Sequence, residues 1–253
     1  MPPRRPLTDA TICRAVEAAL RAGGPEYAHP VHGPIAGWDV SAVTCMSCVF
    51  HGARAFNGDL SRWDVRNVTS MRGMFVKAAA FNGDLSRWDV RNVTDMVNMF
   101  RGAAAFSCDL SGWDVRNVAD MRGMFSFAVA FNGDLSRWDV RNVTDMRGMF
   151  GEAKAFNGDL SRWDVRYDAK VRVMLKGADA FGEALSATLL ERLRACDPHF
   201  RRDARWLWRL ARRLVRPHAR TCAITYYWMG LAARPDAAGN APRSAIQAFC
   251  DDF

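Results

Sequence analysis

Residues 81–105 read FNGDLSRWDVRNVTDMVNMFRGAAA, and close variants of this 25-residue segment recur in register through residue 181. Two aromatic positions mark the register, each recurring every 25 residues: Trp38, Trp63, Trp88, Trp113, Trp138 and Trp163, then Phe56, Phe81, Phe106, Phe131, Phe156 and Phe181. A fixed period of this length is typical of repeat proteins, in which each unit buries its apolar face against its neighbours. The sequence therefore predicts a solenoid.

Each repeat combines two hydrophobic periods. Trp88 and Val90 alternate with polar residues, which is the pattern of a short half-buried strand. After Asn92 the apolar residues follow helical spacing, at Val93, Met96, Met99, Phe100 and Ala103. The expected fold class is therefore an α/β repeat, a leucine-rich-repeat-like solenoid of about six strand–helix coils with helical caps at both ends.

The chain divides into three predicted regions. Residues 1–30 form an N-terminal capping helix and linker, in which Thr8 caps the helix and Gly23-Gly24 ends it. Residues 31–185 form six 25-residue repeats, and residues 186–253 form a basic helical C-terminal cap or tail. The repeats are nearly neutral, with 19 Lys and Arg against 18 Asp and Glu, whereas residues 186–253 carry 12 against 6.

Composition limits the class of protein. An apolar fraction of 49% is ample for a core, and no apolar run is long enough to suggest a membrane span. The opening residues carry no apolar segment typical of a secretory signal. Seven cysteines lie outside the repeat register, which favours free thiols and a reducing compartment. Ten of the twelve methionines recur on the face shared with phenylalanines, which favours core packing over an adaptable binding surface.

The segment FNGDLSRWDVRNVTDMRGMF, residues 131–150, resembles the BspA-like surface-protein repeat, a leucine-rich-repeat relative found in bacterial surface proteins, mycoplasma lipoproteins and protist proteins. The resemblance covers residues 31–185 and implies cell-surface, adhesive or protein-binding roles. That family usually has serine after Trp-Asp-Val, as at Ser41, whereas the later repeats have arginine. Localisation stays open, because the resemblance implies the cell surface and the opening residues show no export signal.

The outward positions around Trp-Asp-Val form the candidate partner-binding surface. The neighbouring strands expected here would stack equivalent residues into ladders. Such a face suits a carboxylate-bearing protein or a glycan, although a solvated surface that preserves solubility is the alternative interpretation. The candidate residues are Arg62, Asp64, Arg66, Arg87, Asp89, Arg91, Asp114, Arg116, Arg137, Asp139, Arg141, Arg162, Asp164 and Arg166.

No set of residues indicates catalysis or a cofactor, because none of the five histidines recurs and the carboxylates form rows rather than an asymmetric pair. Loose thiols are favoured over a zinc site at His29, His32, Cys45 and Cys48. Turn chemistry is favoured over calcium at Asp59, Asp84, Asp109, Asp134 and Asp159. Asn-Val-Thr sequences at residues 67, 92 and 142 match the glycosylation pattern but also suit the expected helix start.

The functional prediction is a non-catalytic protein-interaction or adhesion scaffold that binds through the Arg/Asp-rich strand face. Two alternatives remain. The basic amphipathic helix expected at residues 201–216 could bind a membrane surface, or cap the last repeat. The repeats could instead be purely structural and self-associating. No motif favours specific nucleic-acid binding.

Overall fold

The computed structural model describes residues 6–23, 27–166 and 168–181. Within these residues it contains the α-helix α1, Ile12–Ala22, and one short 3-10 helix, Ile35–Gly37. Both precede the first complete Trp-to-Trp repeat. The predictions for the C-terminal region, including the helix at residues 201–216, lie outside the described residues. The three-region division of the chain stays a prediction.

The prediction of an α/β, leucine-rich-repeat-like solenoid of six strand–helix coils is wrong. In the described part of the chain the repeats contain neither an α-helix nor a strand, and consist of turns, irregular segments and isolated bridges. Neighbouring repeats are joined at single isolated parallel bridges that recur every 25 residues: Cys45 to Ser70, Ser70 to Asp95, Asp95 to Asp120, Asp120 to Asp145 and Asp145 to Lys170. The 25-residue units therefore stack, but by a backbone pattern that the periodicity did not predict.

The stretch expected to be helical is a run of tight turns. Alternate N–H groups, of Met71, Gly73, Phe75 and Lys77, donate to carbonyls of the following unit at 2.7–2.9 Å. The N–H groups of Met74, Val76 and Ala78 instead donate within the unit to the carbonyls three residues earlier. An α-helix would direct every N–H to the carbonyl four residues earlier in the same segment. Here every second N–H group instead donates a hydrogen bond to the following unit.

Two left-handed residues per unit prevent the helix. One recurs at Cys48, Gly73, Asn98, Gly123, Gly148 and Val173, and the other at Gly52, Lys77, Gly102, Phe127, Glu152 and Gly177, with φ between 53° and 75°. A left-handed residue reverses the local winding of the chain and ends a right-handed helix. Glycine adopts this conformation without strain, which explains why it occupies half of these positions.

The Trp-Asp-Val segment keeps the predicted alternation of burial but is not a strand. Trp63 and Val65 are buried, whereas Arg62 and Arg66 are exposed. Side chains rather than backbone pairs connect the units here. The indole N–H of each later Trp donates to a carbonyl of the preceding unit, as Trp88 Nε1 does to the Leu60 carbonyl at 3.0 Å. The segment therefore has extended geometry without a sheet ladder.

The core is a set of stacked aromatic and methionine columns. Phe75 packs against Phe81 of the next unit at 4.1 Å and against Phe100 at 5.5 Å between ring centroids, with nearly parallel rings. The ten repeat methionines are at most 1% exposed, which confirms their core assignment: Met46, Met71, Met74, Met96, Met99, Met121, Met124, Met146, Met149 and Met174. Burial of each such side chain contributes about 1.5–3 kcal/mol.

Helix α1 is attached to the first unit by Asp9. Its carboxylate accepts hydrogen bonds from the backbone N–H groups of Thr44 and Cys45, at 2.7 and 3.0 Å, and from the Thr44 hydroxyl. The helix begins after Thr11 rather than after Thr8, so the predicted cap residue is wrong. It ends at Gly23, as predicted, where the N–H donates to the Ala19 carbonyl. No described helix has the length and apolar character needed to cross a bilayer.

Candidate interaction surface

The predicted surface residues occupy equivalent, solvent-facing positions in successive units. We call this set, Arg62, Asp64, Arg66 and their equivalents at 25-residue intervals, the Asp-Arg face. Arginines at both positions are exposed, and the aspartates between them are half-buried except for the exposed Asp164. The stacked units, rather than a strand ladder, thus bring the candidate residues together.

Each aspartate pairs with the arginine two residues later in its own unit. Arg66 Nε lies 2.8 Å from Asp64 Oδ1, and the same distance recurs at Asp89–Arg91 and Asp114–Arg116. Asp139 and Arg141 form a bidentate pair, with the shorter contact at 2.6 Å. The last unit differs, because Arg166 pairs with Asp168 at 2.8 Å.

Neighbouring units hold the backbone of this surface. The side-chain amide of Asn92 donates to the Arg66 carbonyl at 2.8 Å, and Asn117 and Asn142 repeat the contact with Arg91 and Arg116. The arginine N–H also donates to the aspartate two residues earlier, at 3.3 Å in Arg66. The ion pairs of Arg66, Arg91 and Arg116 therefore sit on turns that their own aspartate and the next unit fix.

The ion pairs shift the acidities of their members. The guanidinium beside each carboxylate lowers the pKa of Asp64 and Asp89, through a side-chain hydrogen bond above all. The bidentate contact with Arg141 lowers the pKa of Asp139 from 3.8 to about 2. The same bonds raise the pKa of Arg66, Arg91 and Arg141. The pairing therefore favours the charged form of each of these aspartates and arginines.

The spacing of charges along the surface follows the tryptophan column. Equivalent Trp rings, which lie between the two arginine positions of each unit, are 6.2–6.5 Å apart at Trp38–Trp63, Trp113–Trp138 and Trp138–Trp163. Within the Asp-Arg face, each unit with arginine at both positions contributes one net positive charge. Gly112 replaces the first arginine in the fourth unit, that of Trp113, which interrupts that row.

A second charged row lies beside the backbone bridges, and the sequence analysis missed it. Arg122 pairs with Asp120 at 2.8 Å and Arg147 with Asp145 at 2.7 Å, while Arg72 reaches across units to Asp95 at 2.8 Å. Asp145 is only 7% exposed. The signal was available, because Arg72, Arg122, Arg147 and Arg172 are separated by multiples of 25 residues.

The turn aspartates make local backbone contacts. Asp59 Oδ1 accepts the N–H of Ser61 at 2.8 Å, and equivalent bonds recur at Asp84, Asp109, Asp134 and Asp159. These hydrogen bonds lead the causes that lower the pKa of Asp59, Asp134 and Asp159. They are the Asx-turn contacts that turn chemistry requires.

Of the four residues weighed as zinc ligands, His29 and His32 lie close together, with ring centroids 4.8 Å apart. His29 Nδ1 accepts the N–H groups of Val31 and His32, and Cys45 Sγ donates to the Ser47 hydroxyl. In the part of the chain that the structure describes, no group of three or more His, Cys, Asp or Glu residues is arranged to hold a metal ion. Cys13, Cys45, Cys48 and Cys108 are free thiols.

Comparison with known proteins identifies a family. A family model described as "Mycoplasma protein of unknown function, DUF285" matches residues 26–126 and again residues 83–188. A search of curated proteins gave no match. The two matches overlap and together extend across all the stacked repeats, more than half of the chain. The chain therefore belongs to this DUF285 family of mycoplasma-type repeat proteins, whose function is unknown.

Proposed function

We propose that this chain is a BspA-like repeat protein that serves as a non-catalytic interaction or adhesion scaffold, binding an anionic protein or glycan through the Asp-Arg face. The observation that carries the proposal is the same exposed ion pair at the same place in consecutive units. In Arg66, Arg91, Arg116 and Arg141 about two thirds of the side chain remains exposed despite the pairing.

Stability gives little reason for this surface. Exposed ion pairs contribute a median of about 0–1 kcal/mol. Their stronger effect is to orient the arginines: Arg66 bonds Asp64 through Nε while about two thirds of its side chain stays exposed. Ordering a flexible side chain on binding costs about 0.5–1.5 kcal/mol, and a side chain that is already oriented avoids part of that cost.

The spacing of the face suits an extended anionic partner. Units repeat at 6.2–6.5 Å along the tryptophan column. Alternate side chains on one side of an extended peptide lie about 6.7 Å apart. A partner with regularly spaced carboxylates, or a glycan with regularly spaced acidic groups, could therefore pair with several arginines at once.

The test replaces four arginines by serine: Arg66→Ser, Arg91→Ser, Arg116→Ser and Arg141→Ser together. The first unit already has serine at this position, where the Ser41 N–H and hydroxyl both bond Asp39. The turn contact to aspartate thus survives the change, and the fold should remain intact. Full-length wild-type and variant chains would capture partners from protein and glycan fractions, and purified partners would then be titrated directly.

A matched control removes the same charge elsewhere, through Arg14→Ser, Arg21→Ser, Arg54→Ser and Lys154→Ser. These residues are exposed and belong to helix α1 or to other positions of the repeat. We expect the four-serine face variant to weaken binding at least tenfold, and the control variant to keep it within about threefold. Equal binding by wild type and face variant would contradict the proposal.

A further inference from the structure

A second concave surface lies away from the Asp-Arg face. It is a groove of about 630 Å³ beside the charged row at the backbone bridges, and residues between Arg72 and Lys176 line it. Equivalent positions 101, 126, 151 and 176 hold Arg, Ser, Gly and Lys. The two small residues leave the space, and the two long cations bound its ends.

The walls of the groove are chemically different. Arg122 and Arg147 form one side and are held by Asp120 and Asp145 through contacts of 2.8 and 2.7 Å. Phe127 and Glu152 belong to the opposite side. Arg101 and Lys176 form no ion pair with any described residue. The groove thus has two cations available for an incoming anion in addition to two that are already oriented.

Phe127 is the most unusual residue of the groove. Its ring side chain is 49% exposed, and its φ is 59°, at a position where other units have Gly52, Gly102 and Gly177. A bulky residue in the left-handed region is strained, and an exposed aromatic ring gains nothing from burial. Arg101 lies over the ring at 5.7 Å, and Val129, two residues on, is 38% exposed. The fold does not account for an aromatic residue here.

We propose that this groove binds an acidic peptide segment of a partner protein, with an apolar side chain packed on Phe127 and carboxylates paired with Arg101 and Lys176. Those cations are three units apart, or about 17 Å at the 5.7 Å spacing of the nearby Phe rings, which about five extended residues would cover. An aromatic anchor among arginines is the usual composition of a binding hot spot.

A peptide fits this groove better than a charged glycan. Both could supply carboxylates for the cations. A glycan could also stack on an aromatic ring, but it has no aliphatic side chain to pack on the half-buried Val173, which also lines the groove. Arg72, Arg122 and Arg147 are each paired with an aspartate, so the remaining cations Arg101 and Lys176, against the single Glu152, favour an acidic segment over a basic one.

The test selects peptides from a displayed random library on the full-length chain, with counter-selection on Phe127→Gly. Glycine suits the left-handed position, as in three other units, so this variant loses the ring without losing the fold. Ser126→Arg is the second variant: it introduces the residue found at the equivalent position 101 and fills the groove. Selected peptides would be labelled with fluorescein and titrated by fluorescence polarisation.

The expected result is a set of acidic peptides with an apolar residue that bind at least tenfold more weakly to Phe127→Gly and to Ser126→Arg. The four-serine face variant should bind them like wild type, which separates this site from the Asp-Arg face. Equal binding to wild type and both groove variants overturns the proposal. A second outcome would also overturn the proposal. In it, no acidic peptide binds the chain, whereas chondroitin sulfate binds and its affinity is lower for Ser126→Arg than for wild type.

Discussion

At the scale of the residue, the Asp139–Arg141 pair couples the surface to pH. The pKa of Asp139 is about 2 in the folded chain, below its ordinary 3.8. A carboxyl with a lowered folded pKa stabilises the folded state at a pH above its unfolded value. That contribution is lost as the pH falls from about 4 through about 2. We expect Arg141→Gln to move the pKa of Asp139 upwards, measured by carbon-13 NMR titration of the carboxyl.

Asp134 provides the internal control for that titration. Its pKa is also lowered, but the first cause is the backbone N–H of Ser136 rather than an arginine. It should therefore stay low in the Arg141→Gln variant. If both carboxyls moved together, a general loss of structure would explain the result better than the loss of one ion pair.

Val173 is the residue whose backbone conformation suits it least. It has a φ of 53° at a position where three other units have glycine. A β-branched residue in the left-handed region costs roughly 1–2 kcal/mol of stability. Replacing it by glycine removes this strain, but glycine also raises the entropy of the unfolded chain, which offsets part of the improvement. We expect Val173→Gly to raise the free energy of unfolding by about 0.5–1 kcal/mol, measured by chemical denaturation.

A change from glycine to valine at an equivalent left-handed position tests whether backbone strain is the cause. Gly148 has a φ of 63°, so Gly148→Val should lower the free energy of unfolding by about 1–2 kcal/mol. A destabilising Val173→Gly together with a neutral Gly148→Val would show that packing, rather than backbone strain, decides stability at this column.

At the scale of the element, the sequence predicted the repeat length and the buried residues of each unit, but not the backbone conformation. The period and the buried Trp, Phe and Met positions follow from composition and spacing alone. The helix prediction failed because Met96, Met99 and Phe100 also face inwards when the chain turns at left-handed Asn98 and Gly102. The spacing of apolar residues indicates which side chains are buried, but more than one backbone conformation can produce the same pattern of burial.

The strand prediction failed for a related reason. Trp88 and Val90 are buried and Asp89 between them is not, as expected. However, the hydrogen bonds between units in this segment are donated by Trp and Asn side chains and not by a strand backbone. Sequence patterns report burial and not which atoms donate hydrogen bonds. The Asp-Arg face was predictable because its residues are adjacent to these buried anchors. The groove was missed because it depends on small residues at positions 126 and 151, which only alignment of the units makes visible.

The tryptophan column can be tested as an element. Trp113 is 3% exposed, and its indole N–H donates to the Leu85 carbonyl at 3.0 Å. Trp113→Phe removes the donor and leaves a buried carbonyl without its partner. We expect a loss of about 2–3 kcal/mol in the free energy of unfolding, measured by denaturation with circular dichroism.

Phe106→Leu is the matched change for that experiment, because it reduces a buried core ring without removing a hydrogen bond. It should lower the free energy of unfolding by about 1–1.5 kcal/mol. A Trp113→Phe loss no larger than this would mean that ring packing alone, and not the bond to the preceding unit, makes tryptophan necessary.

At the scale of the whole molecule, the units are interchangeable in register. The contacts that Phe75 makes with Phe100 recur between Phe100 and Phe125, at 5.5 and 5.7 Å. Deleting residues 81–105 joins Ala80 to Phe106 and restores every contact one unit later. We expect this shorter chain to fold cooperatively, with a lower denaturation midpoint and a smaller m-value, because less surface is buried.

Deleting residues 81–92 is the comparison, since it removes about half a unit. The remaining residues 93–105 keep both left-handed positions but lack Trp88 and Asn92, so the links to the neighbouring units are lost and the register is broken. This chain should give no cooperative transition. Cooperative unfolding of both deletions would show that the stack tolerates shifts of register and that the hydrogen bonds between units are not specific.

The column of left-handed residues and the repeated hydrogen bonds have a consequence for the gene. One unit is 25 residues, so the gain or loss of one unit in the gene is a gain or loss of 25 whole codons. An event that adds or removes a whole unit keeps the reading frame and yields a chain whose segments still match. Copy number can therefore vary among alleles without a misfolded intermediate, and with it the length over which arginines are presented.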